Sequence, residues 1–164
     1  APNRFHHFFV NEWRERHPSA RLLVAPSLAR KRKDLAGATV LGRELQEPWG
    51  DAVVAIPIEG AAAVGETAFV HRPSRTLVVT DLLMNFVPPP RSLLLGAMLR
   101  FEGVHGRLGV PRLIPLLARD KAALRASLRR VLDEDFDRLV PCHGAVLASG
   151  AHAAVERAFA PLVG

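Results

Sequence analysis

The chain has one cysteine, Cys142, among 164 residues, so no intrachain disulfide can form. A lone thiol suits a reducing compartment and points to the cytoplasm. Lysine is scarce as well: only Lys31, Lys33 and Lys121 occur, and arginine carries most of the net charge of +6 and the isoelectric point near 10.9. The arginines are spread along the whole chain, which argues against a dedicated nucleic-acid stripe. Arg30-Lys31-Arg32-Lys33 is the one true local cluster and the best sequence argument for an acidic partner or substrate. Apolar runs fall well short of a membrane span and no secretory signal opens the chain, so no membrane partner is expected. There is no internal repeat, and no Gly-x-Ser-x-Gly turn of the kind that exposes a nucleophilic serine. Gly103 to Gly109 is glycine-rich but lacks the lysine and helix signature of a phosphate cradle.

What is present is apolar and globular: 49% hydrophobic and 23% charged residues, with a mean hydropathy of +0.12. This length supports one domain with a real core, spanning 1–164. Periodicity predicts helices over Phe8 to Arg16, from Pro26-Ser27 to about Lys33, over Ser92 to Phe101, from Asp120 to about Glu134, and over Ala151 to Leu162. Strands are predicted over Arg21 to Ala25, Ala52 to Ile58, Glu66 to Val70, Thr76 to Asp81 and Asp137 to Val140. The turn at Pro73 to Arg75 makes a hairpin of two of them, so pairing should be mainly antiparallel and the class α/β. Asp34 to Asp51, broken by Gly37, Gly42, Pro48 and Gly50, receives no assignment.

Asp81 ends the run Thr76-Leu77-Val78-Val79-Thr80. A carboxylate leaving a buried strand must meet a cation, a donor cluster or water, because an unpaired buried charge is too costly. It reads equally well as a cap on the segment after it. Three of the seven histidines, His6, His7 and His143, likewise sit where a regular element meets a loop. Imidazole is the commonest metal ligand, and element ends are where a rigid scaffold can aim one. With Asp81 these make three nitrogens and one oxygen, a set that suits zinc and also accommodates iron or manganese. No histidine pair has the spacing of a helical zinc motif; His17, His71, His105 and His152 are read as ordinary surface residues. Cys142, next to His143 on a strand end, should point to the opposite face and stay outside the ligand set.

In this order the residues resemble the metallo-β-lactamase superfamily, and within it the short members of unknown function. There a loop reading His-x-His-x-Asp-His precedes a helix, a proline turn and a strand; here the matching text is Pro2-x-Arg4-x-His6-His7, then Phe8 to Arg16, Pro18 and Arg21 to Ala25. Asp81 in VVTDLL resembles the aspartate that bridges two metals, and Pro141-Cys142-His143-Gly144 resembles the final histidine before glycine. The first two loop histidines fall on Pro2 and Arg4, and none lies at Gly60 to Ala63, where a third ligand belongs. The resemblance therefore implies that the first metal site is erased and that His6, His7, Asp81 and His143 keep the second, with one ion per chain. It also implies an αββα sandwich truncated at its N-terminus, since the chain starts at the histidine loop.

Two functions are expected on these grounds. One is a metal-dependent hydrolase in which the ion activates water and polarises an ester, thioester, amide or phosphoester, with Asp81 and His143 catalytic and Arg4 binding a small or anionic substrate. The other is a non-catalytic binding or assembly module that keeps the fold. Nucleic acid fits the charge as a substrate, but nothing in the sequence reads bases.

Overall fold

In the computed structural model, which describes residues 1–42 and 49–164, the centre is a five-stranded sheet of mixed direction. Strands β3 (Val53–Pro57), β4 (Thr67–His71) and β5 (Thr76–Asn85) pair antiparallel in sequence order. The β4–β5 connection is a tight turn in which Arg75 takes a left-handed conformation at φ 49°. β7 (Arg138–Gly144) runs parallel to β5, and the short β6 (Leu108–Gly109) pairs antiparallel with the far end of β5. Leu77, Val79, Leu82, Leu83 and Leu139 from this sheet form one core with Leu124, Leu128 and Val131 of α5 (Lys121–Leu132) and Val155 and Phe159 of α6 (Ala151–Val163). Asp120 caps α5 by accepting from the Ala123 amide at 2.9 Å, as its sequence position predicts.

A smaller core serves the N-terminal part. Val10 of α1 (Val10–Arg16), Val24 of β1 (Leu23–Val24) and Leu28 of α2 (Pro26–Lys31) pack with Leu35. β1 pairs parallel with β2 (Thr39–Val40), a strand inside the stretch left unassigned from sequence; the remainder of that stretch at 43–48 lies outside the described residues. Helix α3 (Leu93–Phe101) is capped by Ser92, and the five-residue α4 (Leu113–Leu117) was not expected. The class is α/β. Among the described residues no helix is long and apolar enough to cross a membrane.

β5 runs four residues beyond Asp81, so the aspartate is not at a strand end. Its pairing with β7 is broken instead: Val79 faces Pro141, and the next partners are Met84 and His143, a register shift across 80–83. A bulge of that size strands backbone amides. Glu66, only 3% exposed, replaces the lost ladder: its Oε1 accepts from Thr80 N at 2.7 Å and its Oε2 from Asp81 N at 2.7 Å and Leu82 N at 2.8 Å. Burial pushes the Glu66 carboxyl up, while these same amides pull it down.

Candidate metal centre

The bulge lifts Asp81 out of the sheet toward the end of β7 and the N-terminal turn. Asp81 Oδ1 stands 3.2 Å from His6 Nε2 and 3.1 Å from His143 Nε2, and the two imidazole rings lie 5.3 Å apart at 57°. His143 is delivered by the last turn of β7, where Gly144 has φ +102°; a Cβ there would come within 2.0 Å of Asn85 O, so only glycine closes this strand end. Asn85 completes the strap by donating from Nδ2 to Ala145 O at 2.7 Å.

His6 is placed by Asn3, a fully buried residue that sequence reasoning passed over. Its Oδ1 accepts from the amides of Phe5 at 2.9 Å and His6 at 2.8 Å, an Asx-type turn. Its Nδ2 donates to Asp81 Oδ2 at 2.6 Å and Thr80 Oγ1 at 2.8 Å. One side chain thus shapes the loop that carries a histidine and holds the carboxylate facing it. The available signal was the asparagine itself, three residues before His6 in a stretch of turn.

Three of the four expected ligands come together; His7 does not. Lys31 Nζ lies 3.0 Å from its Nε2, and an Arg32 guanidinium nitrogen lies 2.9 Å from its Nδ1. Burial, then the Lys31 and Arg32 charges, hold His7 below its ordinary pKa. The place of His7 at an element end and its match to the last loop histidine predict a ligand, whereas the Asn3 turn directs His6 to Asp81 and leaves His7 against Lys31 and Arg32.

Cys142 also departs from expectation. Burial alternates along β7, yet Cys142 Sγ is 3.7 Å from His6 Nδ1, and donor atoms of His6, Cys142 and His143 all fall within 4.8 Å of one another. Cys142 stands opposite the bulge, between the paired Pro141 and His143, so strict alternation against a regular neighbour does not govern it. Burial, with Asp81 and Glu66 nearby, pushes its thiol up. Asp81 thus meets the Nε2 atoms of both histidines, whereas Cys142 lies on the Nδ1 side of His6. Among the described residues the set with mutually close ligand atoms is His6, Cys142 and His143.

His6 also borders an apolar pocket of about 420 Å³ formed with Phe8, Phe9, Trp13 and Leu22. Arg4 turns to a different hollow, beside Ala62, Ala63 and Leu117. Compared with known proteins, the chain matches no family model and no curated protein.

Proposed function

We propose that the protein is a hydrolase-like metalloprotein with one metal ion per chain, held by His6, Asp81 and His143, with Cys142 as a further donor. The observation that carries this reading is the approach of two histidine Nε2 atoms to a single carboxylate oxygen at 3.1–3.2 Å. Zinc–nitrogen bonds of 2.0–2.1 Å in a tetrahedron set neighbouring ligand atoms about 3.3 Å apart. Asp81 Oδ1 already stands near that distance from each imidazole, while the donors of His6, Cys142 and His143, within 4.8 Å of one another, would have to draw closer around an ion. Two nitrogens, a carboxylate oxygen and a sulfur suit zinc above harder ions, with iron or manganese as alternatives.

Such an ion would supply a water of lowered pKa and a Lewis acid for a carbonyl or phosphoryl group. The chain's own residues do the rest. Asn3 fixes the orientation of Asp81 in the manner of an outer-shell partner. The pocket of Phe8, Phe9 and Trp13 offers an apolar wall to a small substrate, and Arg4 offers a cation to an anionic one. The metallo-β-lactamase-like sandwich belongs to the same proposal, supported by the order of His6, Asp81 and His143 along the chain.

Metal analysis of protein purified without chelator or added metal tests the reading, with one equivalent expected. His143→Ala should lower metal content at least about tenfold and abolish metal-dependent hydrolysis of activated esters, while the melting temperature falls only modestly. A metal-free wild type, or a His143→Ala variant that keeps its ion, would defeat it. The second reading, a binding or assembly module, is favoured by α3, where Leu93, Leu94, Met98 and Phe101 stand exposed. It takes over if the ion is present, no substrate in a broad panel is turned over, and His143→Ala unfolds the protein.

A further inference from the structure

Residues 60–65 form a hub on which three separate parts of the chain are pinned. Arg4 donates its amide to Val64 O at 3.3 Å. α2 is docked by Ser27, which donates to Gly65 O at 2.8 Å from a buried position. The Arg119 amide donates to Gly60 O at 2.9 Å, and the close approach is permitted by Gly60, whose φ is +80° and whose Cβ would meet Asp120 O at 2.0 Å. Arg4, Arg30 and Arg119, far apart in sequence, are thereby set around one hollow of about 210 Å³, with Ala62, Ala63 and Leu117 as its apolar lining.

Among the described residues no acidic side chain lines this hollow. Among the described residues, Asp34 pairs with Arg32, Glu66 binds the amides of 80–82, Asp120 accepts from the Ala123 amide, and Glu59 pairs with Arg130 at 3.7 Å. Arg30 also borders the neighbouring cleft that contains Glu59. Three arginines that line one small space gather positive charge there, and a multiply charged anion is attracted to it. The planar fork of arginine matches phosphate oxygens two at a time. A carboxylate has oxygens for one or two such forks, whereas a tetrahedral phosphate presents acceptors to all three.

We propose that the Arg4–Arg30–Arg119 hollow is a binding site for a phosphate group. It deepens the metal-centre reading, on which it rests only for its role as the anchor of a substrate. Arg4 is two residues from His6 in one N-terminal turn, so a phosphorylated molecule held here is a natural candidate for the neighbouring centre.

Calorimetric titration of the purified chain with inorganic phosphate and, separately, with phenyl phosphate tests the site. One saturable equivalent is expected. Equal affinities assign the site to free phosphate, and tighter binding of phenyl phosphate assigns it to the phosphoryl group of a larger molecule. Arg119→Ala and Arg30→Ala should each weaken binding at least about tenfold, Arg119→Lys less, and Arg157→Ala, on the exposed face of α6, not at all. Metal content should be unchanged in Arg119→Ala. The proposal is overturned if neither compound saturates, if the arginine variants bind as the wild type does, or if a single-stranded oligonucleotide binds and phosphate fails to displace it. A metal-free wild type that still binds phosphate through these arginines removes the hydrolase reading and leaves the site standing. A metal-loaded protein indifferent to phosphate does the reverse.

Discussion

Two poles of the molecule meet within its first seven residues. On one side Asp81, lifted by the bulge in β5, gathers His6, His143 and Asn3; on the other, α2 and its continuation present Lys31 and Arg32 to His7. The side chains at 6 and 7 are chemically identical and adjacent, yet one faces a carboxylate and the other two cations. An imidazole is a candidate ligand where its nitrogens meet other metal-binding atoms, and is held neutral, accepting at one nitrogen, where cations crowd it. Backbone direction, set by the Asn3 turn, decides between these fates.

The acidic pole depends on a buried carboxylate, Glu66, that grips the backbone of Asp81 and its neighbours. Glu66→Ala would leave one buried and two part-buried amides without an acceptor, at about 1–3 kcal/mol for each, so urea denaturation should show a loss on the order of 4 kcal/mol. Glu66→Gln should lose less, since its amide oxygen can serve one side of the bulge while its NH₂ group confronts donors on the other. Unchanged stability in both variants would mean that the bulge is held by packing alone. Asn3→Ala comes next in size. It should cost about 2 kcal/mol for the orphaned Phe5 and His6 amides and weaken metal binding tenfold to a hundredfold. Equal metal affinity in Asn3→Ala and wild type would separate loop shape from the centre altogether.

The same contrast explains how far the fold was legible. Strands β3, β4 and β5, their hairpin, and helices α5 and α6 announce themselves through period and caps, which are local properties. The sequence singles out His6, Asp81 and His143, together with His7, as residues at element ends, although Asp81 lies inside β5 and His143 inside β7. The bulge was not: its cause is Glu66, fourteen residues before Thr80, and its readable trace was only an acid at the head of an apolar strand. The exclusion of His7 was equally hidden, because Lys31 and Arg32 reach it across about two dozen residues of chain. The two-residue strands β1 and β2 carry too few side chains to show any period.

The basic pole gives the smallest expected effect and the one most specific to its electrostatics. His7 is held below its ordinary pKa by burial and by Lys31 and Arg32. Below about pH 6.5 the unfolded chain takes up a proton at this position that the native chain refuses. The contribution of neutral His7 is therefore complete above that pH and is lost as pH falls from about 6.5 toward the lower native value. Wild-type stability, measured by urea denaturation from pH 7.5 downward, should decline through this window, and His7→Gln should flatten that limb. Gln retains an acceptor for Lys31 or Arg32 but cannot protonate, so its stability at pH 7.5 should stay close to that of the wild type. A limb that survives His7→Gln unchanged would place the acid sensitivity at the Asp81 pole, and the division between the two neighbouring histidines would lose its electrostatic basis.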